Sequence, residues 1–176
     1  MVAMARWKNI PNKLGGEVAP KPKKNPAKKM QNDRKNELLR IELSMYLESK
    51  GFQVVSKERM GFELTVNNLF EPVHWCTNNF RADICCFRNE FLASIWDDAK
   101  LMKREKFVKQ LKDIKAKPVM VVEINGGVWS MGRHNRPEGY KADIMKANLF
   151  QYHNVNYFQF MYDHLADGVY KQMFDL

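Results

Sequence analysis

The chain predicts an α/β fold: a central mixed β-sheet flanked by helices. Three observations lead there. Short apolar runs at Ala82 to Phe87 and Val119 to Ile124 have the length and the Val/Ile/Phe character of strands. Longer stretches around them, Arg34 to Lys50 and Tyr140 to Tyr152, carry apolar residues at helical spacing. Two strand runs also carry an acid near one end, Asp83 and Glu123, where a charge is costly unless it is paired or bound to a cation.

Taken in order, residues 1–32 read as a disordered basic arm and residues 33–176 as one domain. The first thirty residues hold eight basic side chains, among them Lys21, Lys23, Lys24, Lys28 and Lys29, against the single acid Glu17. They carry seven of the nine net positive charges of the 176-residue chain. Pro11, Pro20, Pro22 and Pro26 oppose a helix there. Such arms hold phosphate backbone without reading base sequence, although a solubilising tail has the same composition.

The first helix is expected from Arg34 to Lys50, with Asn32 or Asp33 as its cap and Gly51 at its end. Phe52 to Val55 and Phe62 to Val66 follow as strands, with a turn at Gly61. His74 reads as a structural histidine, and Trp75 and Phe80 as core. A charged helix is expected from about Asp97 to Lys115, with Leu101, Phe107, Val108, Leu111 and Ile114 inward and a row of lysines outward. Pro118 opens the Glu123 strand. A loop from Gly126 to Gly139 brings Arg133, His134 and Arg136, residue types that suit phosphate contact. Val155 to Phe160 is the last strand and Ala166 to Phe174 a closing helix.

Two carboxylates at the ends of neighbouring strands can converge on one hard divalent cation, which prefers oxygen ligands. A cation held there can activate water and neutralise charge developing on a phosphodiester. A third block strengthens this reading: Gly132-Arg133-His134, then Gly139 through Lys141, Asp143 and Lys146 to Asn148. The order of strand Asp, acidic strand ending in a Gly pair, His-bearing loop, and helix with Asp and Lys resembles the PD-(D/E)XK nuclease superfamily. Within it, the chain is similar to the branch of very-short-patch mismatch-repair endonucleases and phage-type relatives, from about Asn36 to Phe160.

The resemblance implies a restriction-endonuclease-like core and Mg²⁺-dependent cleavage of DNA, with Mn²⁺ as a substitute. Asp83 and Glu123 would be the metal ligands. The superfamily's Lys, two residues after the acid, is here Asn125. Lys146 is the candidate to replace its charge, because Asp143 and Lys146 share a helix face. His134 is the other candidate, as general acid or base. Asp143 would fix either group or join the metal shell. A Glu on the first helix is also implied at the site, Glu37 or alternatively Glu42. Arg133, Arg136, Lys141 and the arm lysines would contact DNA.

Two alternatives stay open: a DNA-binding protein of this fold that has lost catalysis, and a resolvase of branched DNA. The three cysteines, Cys76, Cys85 and Cys86, show no Cys-x-x-Cys spacing, which disfavours zinc and suits a reducing compartment. No apolar run is long enough to span a bilayer and no secretory signal is recognisable, so a cytoplasmic location is expected, that of the host cell if the chain is phage-encoded. Oligomeric state is not legible.

Overall fold

The computed structural model describes residues 26–125 and 137–175. The expected loop residues Arg133, His134 and Arg136 lie outside the described residues, as do Lys21, Lys23 and Lys24 of the arm.

The first helix, α1 (Pro26–Ser49), starts earlier than its sequence suggests. Pro26 occupies the first helical position, where its missing N–H has no intrahelical partner to lose and its fixed φ suits the helix. Lys28 and Lys29 therefore ride on a helix, exposed, and not on an unstructured arm. Only the C-terminal half of α1 is anchored, through Leu43, Ser44 and Leu47.

Strand β1 (Gln53–Ser56) runs into a single helical turn, α2 (Lys57–Met60), capped by the Ser56 side chain and closed by Gly61 at φ 76°. Gly61 thus marks the turn expected there, in the left-handed region where a Cβ is disfavoured. Next come β2 (Leu64–Thr65), α3 (Val66–Leu69), β3 (Arg81–Ala82) and β4 (Ile84–Phe87). The expected Ala82–Phe87 strand is broken at Asp83. β3 pairs with β2 in a small ribbon, whereas β4 belongs to the main sheet.

After a short helix, α4 (Glu90–Ser94), the charged helix expected over 97–115 is two shorter pieces, α5 (Trp96–Lys100) and α6 (Arg104–Asp113). Lys103 is extended, so the chain turns between α5 and α6. The turn packs Met102 against the core and leaves Leu101, expected inward, 86% exposed. Strand β5 (Met120–Asn125), α7 (Pro137–Tyr152) and β6 (Asn156–Met161) follow. The closing helix divides at Gly168, φ 68°, into α8 (Tyr162–Ala166) and α9 (Val169–Phe174). His74 is exposed rather than a structural histidine in the interior.

The main sheet has the order β1-β4-β5-β6. β1, β4 and β5 are antiparallel neighbours, and β5 and β6 are parallel, joined through α7. The sheet is mixed and helices cover it, as expected. Successive side chains alternate between its two faces. Cys85, Phe87 and Val121 enter one apolar cluster, with Phe107, Leu149 and Phe150. Ile84, Cys86, Met120, Val122 and Ile124 enter the other, with Leu43, Leu47 and Tyr170. All three cysteines are buried and free. No helix among the described residues is long and apolar enough to cross a membrane.

Candidate active site

The alternation along β5 sets the direction of Glu123. Val122 and Ile124 face the α1 side, so Glu123 shares the opposite face with Val121, toward α7. There Lys146 Nζ lies 2.5 Å from Glu123 Oε1, and both side chains are nearly buried. Lys146 is thus the cation that meets the acid whose neighbour Asn125 carries none.

Asp83 stands beside this pair, at the point where the chain leaves the small ribbon and joins the main sheet. A reciprocal clasp fixes it. The Ile124 N–H donates to Asp83 Oδ2 at 2.8 Å, and the Asp83 N–H donates to Glu123 Oε1 at 3.2 Å. The side chain therefore replaces ladder bonds that the strand break would forfeit. The two acids are close enough to repel. Burial first, then the Asp83 charge, pushes Glu123 up to about 7, although Lys146 and the Asp83 N–H both favour its ionised form. Burial and the Glu123 charge also raise Tyr157, on the adjacent strand β6.

Both acids line a cleft of about 550 Å³ together with Glu63, Arg81, Asp143 and Lys146. Four acids thus face two basic residues. A third cation, Arg40 of α1, reaches in from a neighbouring cleft: its Nη2 is 3.6 Å from Asp83 Oδ1 and 3.7 Å from Glu63 Oε1, and its Nε is bonded to Glu58 at 2.6 Å. Burial opposes the Arg40 charge, but Asp83, Tyr162 and Glu58 outweigh it and raise its pKa.

Asp83, Glu123, Asp143 and Lys146 therefore come together as the sequence suggests. Glu37 does not join them. It is exposed and lines the neighbouring cleft with Arg40 and Glu58. Glu42 points elsewhere, to Tyr170 and Lys171. Arg40, Leu43, Ser44 and Leu47 form the inward stripe of α1: Glu37 is in phase with it but one turn too early along the axis, beyond the buried part of the helix, and Glu42 is off the stripe. Arg40 went unnoticed in the sequence, although a lone basic residue on an apolar stripe was the signal for it. Lys141 is exposed on α7, outside the lining of the cleft.

No protein-family model, curated protein or solved structure matches this chain. Among the described residues, no group of three or more His, Cys, Asp or Glu side chains is gathered closely enough to hold a metal ion. What the cleft does offer is two adjacent hard oxygen donors and an excess of acid over base. That donor chemistry fits a divalent cation completed by water and by substrate oxygen.

Proposed function

We propose that the protein is a Mg²⁺-dependent DNA endonuclease with a restriction-endonuclease-like core of the PD-(D/E)XK type, acting in the cytoplasm. The carrying observation is the triad of Asp83, Glu123 and Lys146, drawn from three different elements into one cleft. Asp83 and Glu123 would hold Mg²⁺ or Mn²⁺, which supplies an activated water and neutralises charge on the phosphate. Lys146, now against Glu123, would turn its charge toward the scissile phosphate once a cation takes over that acid. Asp143 lines the same cleft and would orient Lys146. An acid-rich cleft repels a phosphate unless a cation enters with it, which is why the reading requires a metal.

The decisive test incubates supercoiled plasmid with the full chain in Mg²⁺, Mn²⁺ or EDTA. Cleavage is expected with either metal and not with EDTA. Asp83→Asn, which keeps an acceptor for the Ile124 N–H, should abolish cutting and leave most DNA affinity, since that affinity comes from basic surface. Full cutting by Asp83→Asn would end the assignment. One observation favours a second reading, a DNA-binding protein without catalysis: each acid already has an internal cation, Lys146 on Glu123 and Arg40 near Asp83. Absence of cutting with either metal, on linear, mismatched and four-way DNA alike, would select that reading.

A further inference from the structure

At the C-terminal end of α7, beyond Lys146, a second concave surface combines aromatic rings with lysines. His153 follows the helix seven residues after Lys146, about 10 Å along its axis. Its ring stacks flat on Phe70, with centroids 4.0 Å apart and planes 4° apart. Tyr152 meets His153 edge-on at 5.2 Å, and Trp75 meets Tyr152 edge-on at 5.6 Å. Trp75 and Tyr152 are exposed, so this aromatic ladder runs from the interior to the surface.

Beside the ladder lies a pocket of about 420 Å³, within the range that takes a small organic group. Its floor is apolar, made of Phe70, Leu111 and Ala116. Its rim carries Lys112, Lys115 and Lys117, all exposed, with Glu71 as the one acid among its lining residues. Lys115 adopts a left-handed φ of 51°, rare for a residue with a side chain. Buried at this pocket, His153 Nε2 has no hydrogen-bond partner among the described residues. A buried polar atom without a partner is uncommon and calls for one. Burial and then the nearby Lys117 lower the His153 pKa, which favours the neutral ring.

We infer that this surface binds single-stranded DNA, with one unpaired base entering the apolar pocket beside His153 and the flanking phosphates held by Lys112, Lys115 and Lys117. Exposed rings in an electropositive surface are the means by which proteins hold unpaired strands, because every base has a face to stack. A duplex keeps its bases stacked inside and offers the same pocket nothing. Charge complementarity with the three lysines selects a polyanion over an apolar peptide. The site is separate from the Asp83 cleft and does not depend on hydrolysis there.

The test measures binding of a fluorescein-labelled oligo-dT of about fifteen nucleotides, and of a duplex of the same length, to the full chain in EDTA. Two variants are compared with the parent: Tyr152→Ala, and Lys112→Ala/Lys115→Ala/Lys117→Ala. All four positions are exposed, and thermal melts verify that the variants fold. Tyr152→Ala should weaken oligo-dT binding roughly tenfold, the scale of one lost stacking contact. The triple variant should lower the slope of log affinity against log salt by about two, the counterions of three phosphates on a single strand. Duplex binding should change less than twofold in Tyr152→Ala, and in the triple variant it should fall by less than oligo-dT binding does. Unaltered oligo-dT binding in folded variants would overturn the inference, and so would an equal loss for duplex. Because binding is read in EDTA, where no cleavage is expected, its outcome separates failure of this surface from failure of the hydrolytic reading.

Discussion

Glu123 makes the fold pH-dependent in a direction opposite to that of most carboxylates. Its folded pKa, about 7, lies above the ordinary 4.5. Folding therefore favours the protonated acid, and the resulting stability is present in full below about pH 4.5 and lost as pH rises through 7. Integrating that shift gives a penalty of about 1 kcal/mol at pH 5 and about 3 kcal/mol at pH 8. Glu123→Gln is neutral at both and keeps the side-chain shape. Relative to it, the parent should lose about 2 kcal/mol between pH 5 and pH 8, or roughly 4–8 °C of melting temperature for a domain of this size. Thermal and urea melts of both proteins across that interval, in EDTA, supply the measurement. Adding Mg²⁺ at pH 8 should recover stability in the parent and little in Glu123→Gln, since the ion relieves the repulsion that the substitution has already removed. Parallel pH curves for the two proteins would refute the reasoning. They would mean that Lys146 and the Asp83 N–H fully compensate the buried charge.

Three further predictions concern charge. Lys146→Ala should lower the cleavage rate a few hundred-fold, the effect of losing a fixed cation worth on the order of 3 kcal/mol in the transition state, and Lys146→Arg should restore part of it, read from single-turnover rates. Arg40→Ala leaves Glu58, Glu63 and Asp83 without their shared partner and should cost roughly 3 kcal/mol in urea denaturation, at the lower end for breaking a buried ion pair. Deleting residues 1–25 removes Arg6, Lys8, Lys13, Lys21, Lys23 and Lys24 and should weaken duplex DNA binding and flatten its salt dependence, with the melting temperature of the remaining chain nearly unchanged.

The strands that carry the acids were legible because alternation and apolar runs are local signals. Glu123 inside Met120–Asn125 needs only its neighbours to be assigned a strand. Lys146 was legible for the same kind of reason, since helical spacing puts it on the stripe of Asp143. The break at Asp83 was not, because what stabilises it is an N–H forty-one residues away, on Ile124. Pro26 misled in the other direction: the residue that disrupts a helix interior also begins one well. Glu37 was expected at the site through resemblance, whereas Arg40, on the same face one turn further along α1, is the residue that reaches Asp83. Nor could the chain announce the turn at Leu101–Lys103, because its charged residues fit one long helix as well as two short ones, and only the packing of Met102 decides between them.

One strand, β4, serves two interiors at once. Ile84 and Cys86 point one way, Cys85 and Phe87 the other, and β5 repeats the division with Val121 against Val122. Neither apolar cluster can loosen without pulling on a backbone shared with its counterpart, so the two should melt in a single cooperative step. The clasp between Asp83 and Glu123 sits where those two strands end. Its geometry is therefore all-or-none: a molecule that has lost either interior has lost the cleft as well, and partial unfolding leaves no half-assembled site to misfire.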